Sequence, residues 1–406
     1  MTFAKINPYT QDFSGDANNL RNLDHIDTLS TNTIIGRNAG IRNNQPSGYS
    51  VFVGFEAGNN STNPNKNVYI GYQSGYRSNG DSNNVFIGTQ SGYKNNKGSD
   101  NIFFGFQSGY NNTNGHKNVF IGKDSGKLNK TGSANVFIGP TSGSRNVSGN
   151  SNVFLGMLSG NFNTYGNNNV FIGNKSGFNN ILGDDNVFSG TQSGEFNVSG
   201  SQNVFIGHSS GQYNRYGNAN VFLGFKAGQQ NNFGNSNLFA GISSGADNED
   251  GNKNVFLGKS SGSKSKFGSE NVFIGQSSGL NNYKGSKNVF IGNESGANSH
   301  QSDTNIFIGY QSGSLNSSNI LQITQAYTIS EPSYDLTEYL QSLVDSDKID
   351  NFNYTYDVEI SFQNTFGSFN IRYLKDTFMD IKYFVENPYP SYSTKTISSP
   401  DNITLL

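Results

Sequence analysis

Residues 203–211 read Asn-Val-Phe-Ile-Gly-His-Ser-Ser-Gly, and the chain repeats this pattern at a fixed spacing. From Asn67 to Asn305 every seventeenth residue is Asn, in fifteen consecutive copies, and two earlier copies begin at Asn32 and Ser50. Together they make seventeen copies of N-V-F-I-G-x-x-S-G-x-x-N-x-x-G-x-x. A period this short predicts an all-β solenoid, in which each copy is one coil that buries its apolar side chains only against its neighbours.

We number the repeat from its leading Asn as position 1. Positions 2, 3 and 4 are apolar in nearly every copy, as in Val204-Phe205-Ile206, with Ser189 and Ala240 as exceptions at position 4. Three β-branched and aromatic residues followed by Gly predict a short strand. Successive side chains of a strand point to opposite faces. The Val and Ile columns therefore share one face, and the Phe column lies on the other.

Glycine and asparagine columns predict the corners of each coil. Position 5 is Gly from Gly36 to Gly309, and position 9 is Gly from Gly40 to Gly313. Such strictness predicts backbone with positive φ, or contacts too close for a side chain. A third Gly occupies position 15 in twelve copies, and position 12 is usually Asn. We interpret the Asn columns as turn residues whose stacked amides bond from coil to coil, rather than as a ligand site.

The aromatic column at position 3 predicts that chains associate. If the coils stack about 4.8 Å apart, the column is about 80 Å long. An exposed column of that length would form a larger contiguous apolar surface than a monomer usually exposes. Both faces of each strand are apolar, so one face should fill the coil and the other should meet a partner chain. The sequence leaves open whether the Phe column or the Val and Ile columns fill the coil. The residues of this seam or core are Phe86, Phe103, Phe120, Phe137, Phe154, Phe171, Phe188, Phe205, Phe222, Phe239, Phe256, Phe273, Phe290 and Phe307.

The N-V-F-I-G-x-x-S-G motif resembles the S-V-A-I-G head repeats of trimeric autotransporter adhesins. It resembles still more the Asn/Gly-rich repeats in trimeric fibre proteins of bacteriophages and large DNA viruses. The likeness covers residues 32–318 and implies a β-roll or β-helix built as a homotrimer, left-handed in the adhesin heads. It does not indicate what the fibre binds. Phe replaces the small residue of the bacterial motif, and the repeat is longer than usual there.

The repeat divides the chain into three parts. Residues 1–31 lack the basic and apolar regions of a signal peptide, and we interpret them as a segment that attaches to a larger particle; the alternative is a frayed terminus. Residues 32–318 form the shaft. Residues 319–406 are predicted to be a small, mainly β domain for the tip or for trimer registration. It should contain a short helix opening at residues 335–338 and an antiparallel meander that turns at residues 364–367 and again at residues 375–377.

Composition limits the partners. The 27 basic and 29 acidic residues nearly balance, so no strong field favours nucleic acid or an anionic membrane. There is no Cys, which excludes disulfides and thiolate metal sites, and no apolar run approaches the length of a membrane span. We expect no nucleic-acid partner and no membrane insertion.

We also expect that the protein is not an enzyme and that it binds no metal and no cofactor. Glycan hydrolysis needs two carboxylates held around one bond. The acidic residues at position 7 lie many coils apart, and the local pairs Asp184-Asp185 and Glu249-Asp250 are interpreted as solvated turn residues. A site assembled from different chains stays open. The four His residues show no metal-ligand spacing.

Aromatic residues at positions 6 and 10 are the candidates for binding sugars, because rings beside Asn, Gln and Ser can contact a sugar through both apolar surface and hydrogen bonds. The alternative, which we favour, is that these rings pack over adjacent coils or against another subunit. The possible glycan contacts are Tyr72, Tyr76, Tyr93, Phe106 and Tyr110.

These expectations favour a structural fibre of a virus or bacteriophage, assembled in the host cytoplasm and displayed on the virion surface. Its N-terminal segment would bind a virion protein, and its shaft or C-terminal domain would attach to a host-surface glycan or protein through weak contacts multiplied by valency. The first alternative is a cellular surface adhesin or an extracellular filament subunit. The second is a glycan-cleaving tailspike.

Overall fold

A computed structural model describes residues 31–42, 48–62, 65–80 and 82–314, together with the backbone of short strands outside these ranges. The chain divides into two compact units, Met1–Tyr216 and Gly217–Leu406. The predicted helix at residues 335–338 lies outside the described residues. So do the residues at the predicted boundary 318/319.

The first unit is a parallel β-solenoid with one three-residue strand per coil, at positions 2 to 4 of the repeat. Before it, β1 (Lys5–Ile6) pairs antiparallel with β2 (Phe13–Ser14), and β3 (Ile26–Asp27) pairs antiparallel with the first repeat strand. The repeat strands are β4 (Thr33–Ile35), β5 (Val51–Val53), β6 (Val68–Ile70), β7 (Val85–Ile87), β8 (Ile102–Phe104), β9 (Val119–Ile121), β10 (Val136–Ile138), β11 (Val153–Leu155), β12 (Val170–Ile172), β13 (Val187–Ser189) and β14 (Val204–Ile206).

The second unit has the same coil design. Its repeat strands are β15 (Val221–Leu223), β16 (Leu238–Ala240), β17 (Val255–Leu257), β18 (Val272–Ile274), β19 (Val289–Ile291) and β20 (Ile306–Ile308). The strand β21 (Gln322–Ile323) pairs parallel with β20. Beyond it lie β22 (Tyr327–Thr328), β23 (Tyr356–Asn364), β24 (Gly367–Lys375), β25 (Ile381–Phe384) and β26 (Thr394–Ile397). β23 and β24 pair antiparallel on either side of the predicted turn.

Strand register follows the repeat without a slip. In the first unit Val136 pairs with Val153, and Phe137 pairs with Phe154, seventeen residues on. In the second unit Phe256 pairs with Phe273 in the same way. Equivalent positions of neighbouring coils therefore lie one above another, so each column of the sequence is a column in space. The predicted all-β solenoid with 17-residue coils is confirmed for the described residues, and its strands pair in parallel.

The Phe column fills the interior of the coil. The side chains from Phe86 to Phe307 at position 3 are completely buried within the single chain. Each ring stacks on the next within a unit, as Phe137 does on Phe154 with ring centroids 4.7 Å apart and planes 4° from parallel. Burial of one aromatic side chain stabilises by roughly 1.5–3 kcal/mol. Of the two roles that the sequence left open for these rings, the structure gives them the core. A partner chain cannot reach them.

Two glycine columns make the corners that the sequence predicts. Gly139 at position 5 has φ 132° and Gly143 at position 9 has φ 55°. A Cβ on Gly139 would lie 2.6 Å from the carbonyl oxygen of Gly156 in the next coil, and one on Gly143 would overlap the Phe137 ring. Both columns need Gly for conformation and for space.

The sequence did not predict two further left-handed positions in each coil. Positions 7 and 17 have positive φ with ordinary residues, as at Thr141 (55°) and Ala134 (57°). Such a conformation costs roughly 1–2 kcal/mol for a residue with a Cβ. Because many residue types occupy these columns, no composition signal marks them.

The Asn columns form the predicted amide ladders. At position 1, the backbone N–H of Asn152 donates to Asn135 Oδ1 at 2.9 Å, and its Nδ2 donates to the Gly166 carbonyl at 2.8 Å. At position 12, Asn146 Nδ2 donates to Asn129 Oδ1 at 2.7 Å. These buried amides satisfy backbone groups that the corners would otherwise leave unpaired.

A third ladder at position 16 was not predicted. The backbone N–H of Asn150 donates to Asn167 Oδ1 at 2.9 Å, and the N–H of Ser99 donates to His116 Nδ1 at 3.0 Å. The bonds run from each coil to the following one, opposite in direction to the ladder at position 1. The signal was present, since from Ser82 to Asp303 every residue of this column has a side-chain oxygen or nitrogen that can accept a hydrogen bond. The column is Ser82, Ser99, His116, Ser133, Asn150, Asn167, Asp184, Ser201, Asn218, Asn235, Asn252, Ser269, Ser286 and Asp303.

Candidate functional site: the outward aliphatic face

The side chains at positions 2 and 4 point outward, on the opposite side of the strand from the buried Phe ring. We call this surface the aliphatic face. Within the first unit, Ile138 is 39% exposed, Ile172 is 41% exposed and Ile206 is 45% exposed. The face therefore stays half-open to solvent in a single chain, whereas the rings behind it are closed off.

The aliphatic face is continuous in each unit and carries no charge. The residues at positions 2 and 4 of all copies are Val, Ile, Leu, Thr, Ser, Ala or Phe. The small side chains of Ser189 and Ala240 leave shallow depressions in this face, and the large Phe104 side chain, 51% exposed, protrudes from it. In the first unit eleven such strands stack in parallel. A contiguous apolar surface without a single charge is typical of an interaction surface.

Position 6 forms the next exposed corner after the aliphatic face, across the glycine at position 5. In the first unit Phe55, Tyr72, Phe106 and Met157 occupy this corner and are 38 to 47% exposed. The Phe55 and Tyr72 rings belong to consecutive coils and stack with centroids 5.5 Å apart. We call this column the position-6 corner; its apolar members extend the aliphatic face sideways.

The candidate sugar-binding rings are divided by the structure. Tyr76, Tyr93 and Tyr110 stack in consecutive coils with centroids 5.0 and 4.9 Å apart, so that their ring faces cover one another. Burial is the main cause that raises the pKa of Tyr93, and the neighbouring Tyr110 raises it further. These three rings pack over adjacent coils, and a sugar would meet mainly their edges. Tyr72 and Phe106 lie instead on the position-6 corner.

The local acidic pairs are engaged in the coil. Asp184 Oδ1 accepts from the backbone N–H of Asn167 at 2.6 Å, as part of the position-16 ladder. Glu249 pairs with Lys266 at 2.9 Å, and that bond raises the pKa of the lysine. Burial, together with the Glu249 charge, raises the pKa of Asp250. Asp184 and Glu249 thus have local structural roles.

The position-7 carboxylates are also paired locally. Glu56 accepts from Gln73 Nε2 at 2.8 Å, and Asp124 forms an ion pair with Lys127 at 3.0 Å. One buried carboxylate was not anticipated: Glu195, 4% exposed, accepts from Gln212 Nε2 at 2.8 Å. Lys175 lies 3.5 Å from its other oxygen. In the part of the chain that the structure describes, no cluster of three His, Asp or Glu could hold a metal ion.

Comparisons with known proteins add no relative: no family model matches the chain, and neither a curated protein nor a solved structure does. A separate property concerns membranes. Over the described ranges, no helix has the length and apolar character needed to cross a bilayer.

Proposed function

We propose that the protein is a structural fibre of a virus or bacteriophage particle, a parallel homotrimer that holds a host-attachment surface away from the particle. The observation that carries this proposal is the aliphatic face, which is exposed in the single chain and lacks charge along each unit. A surface of that kind calls for a partner of matching length. The absence of charge makes burial inexpensive, since no ion has to be desolvated.

A second copy of the same chain is the partner whose surface matches in spacing. Strands of both chains rise by about 4.8 Å per coil, so apolar pairs would meet at every level of a parallel assembly. Burying roughly 100 Å² of apolar surface per coil would contribute about 2.5 kcal/mol at 25 cal/mol per Å². Over the eleven coils of the first unit this exceeds the cost of association, about 4–15 kcal/mol. The number three comes from the resemblance to trimeric fibre proteins.

The remaining roles follow from this architecture. The N-terminal segment would bind a virion protein, and the shaft or the C-terminal domain would contact a host glycan or protein at the virion surface. Three copies of a weak site gain avidity without a deep pocket. Asp184, Glu195 and Glu249 of the described coils are engaged in hydrogen bonds or ion pairs, which favours a non-enzymatic role over a glycan-cleaving tailspike.

The assembly is tested by charging the aliphatic face. We expect Ile138→Asp with Ile172→Asp to separate the chains while each chain keeps its far-UV circular dichroism, because two carboxylates per chain would otherwise be buried unpaired. Sedimentation velocity would report the change in mass. The matched control is Tyr165→Asp with Leu182→Asp, at residues 51% and 53% exposed outside the face, which should leave the assembly intact.

A wild-type protein that sediments as a well-folded single chain would contradict the proposal. Substitution of the Phe column cannot serve as this test. The Phe205 ring is inside the coil, so Phe205→Asp should unfold the coil rather than separate intact chains.

A further inference from the structure

An assembly of identical coils has a register problem. The aliphatic face is nearly the same at every level, so chains displaced by one coil would still bury almost all of it. Register is weakly specified wherever the paired surfaces are uniform along their length. A fibre of uniform length therefore needs a feature that fixes the register, either a terminal domain or a difference between coils.

The position-6 corner is aperiodic where the rest of the face is regular. In the first unit its large apolar residues occupy the second, third, fifth and eighth coils, as Phe55, Tyr72, Phe106 and Met157. The coils between them carry Thr89, Lys123 and Pro140 at the same position. All four apolar side chains are exposed although they lie beside the face that we propose to be buried.

We propose that the position-6 corner sets the register of the assembly: chains associate in parallel so that identical position-6 side chains meet at the same level. The inference rests on the proposed self-association, and the occupant of the corner is a second copy of this chain. Tyr72 and Phe106, which the sequence suggested as glycan contacts, become contacts between chains.

The spacing of the four residues makes the aligned state distinct. In register, all four meet their own counterparts. When one chain is displaced by one coil, only Tyr72 meets a large apolar partner, which is Phe55. When it is displaced by two coils, only Phe106 does, and its partner is Tyr72. A displacement of three coils matches two, and one of four coils matches none. Lys123 tolerates the aligned state because its long stem can carry the ammonium group outward to water.

The second unit repeats the device independently. Phe225, Ile242 and Tyr310 occupy position 6 in its first, second and sixth coils and are 46, 51 and 71% exposed. The intervals between them all differ, so any displacement within this unit matches at most one pair. Each unit thus favours one register by itself.

Disulfide trapping tests the register directly, because the chain has no Cys of its own. Asn174 and His208 share position 6 two coils apart, on levels without a large apolar residue. Full-length Asn174→Cys should cross-link to itself under mild oxidation. Co-expressed with differently tagged His208→Cys, it should give no mixed product, because two coils separate the sulfurs by about 10 Å, beyond disulfide reach.

Erasing the pattern should abolish this selectivity. With Thr at the apolar position-6 residues of both units, mixed Asn174→Cys and His208→Cys products should appear alongside the self-linked ones. The matched control also places Thr at seven exposed apolar residues, all outside this column: Leu128, Tyr165, Ile181, Leu182, Tyr216, Phe233 and Tyr283. It should keep the selectivity of the parent.

Each contrary result has its own meaning. Absence of self-linked Asn174→Cys from an intact oligomer, or full selectivity in the Thr variant, would overturn the register role of position 6 and leave the fibre proposal standing. A wild-type chain that stays single at all concentrations would overturn the proposed assembly itself.

Discussion

Single residues show how the repeat tolerates change. Tyr69 replaces Phe in the buried column, and in the same coil Ser78 replaces the Asn of position 12. The Tyr69 hydroxyl lies 2.8 Å from Ser78 Oγ, and both side chains are completely buried. The smaller Ser makes room for the phenol oxygen and bonds to it. The two departures from the repeat are one compensated change.

This compensation predicts a coupling between the two residues. We expect Tyr69→Phe to destabilise the coil by about 1–2 kcal/mol, since it removes a buried bond to Ser78. Ser78→Asn alone should also destabilise, because the amide meets the phenol oxygen. Together they restore the common repeat and should recover much of the loss, which a double-mutant cycle in urea measures. Additive losses in the double variant would show that the pair is not coupled.

At the scale of the ladder, a break is visible in the second unit. Position 12 is Ser at Ser265, and the Oδ1 of Asn248 in the coil before has no hydrogen-bond partner. Elsewhere an Asn side chain donates to that oxygen, as Asn248 does to Asn231 at 2.6 Å. The shorter Ser cannot span the gap, and its own hydroxyl has no partner either.

Repair of the ladder should therefore stabilise the protein. We expect Ser265→Asn to raise the stability of the second unit by about 1 kcal/mol, through new bonds to Asn248 Oδ1 and to the Gly268 carbonyl. Thermal unfolding would detect it. Lys264→Asn, at the exposed neighbouring position, controls for the change in composition. A loss of stability in Ser265→Asn would mean that the coil cannot accommodate the larger side chain.

The elements also show what the sequence could and could not reveal. Strands, glycine corners and two Asn ladders were predictable because each needs one residue type at one position. The left-handed residues such as Thr141 were not, since the coil imposes their conformation whatever the side chain is. The position-16 ladder was hidden by variety, since Ser, Asn, Asp and His all supply an acceptor. Alternation showed two apolar faces but not which of them faces inward.

That last point decides where a partner chain can bind. A 17-residue coil has room inside for one large ring per layer, beside the small Ser of position 8 and the Asn of position 12, all of them buried. The aromatic column is therefore buried in the core of its own chain. The surface that we propose for assembly is the aliphatic face, with the position-6 corner beside it.

At the scale of the whole molecule, the central claim is that this face is buried between parallel chains. Electron cryo-microscopy of the full-length protein tests it most directly, at a resolution that separates coils about 4.8 Å apart. We predict three parallel solenoids with their Val and Ile columns facing one another and one Phe column enclosed in each. A map in which the aliphatic face of every chain lies open to solvent would contradict this account.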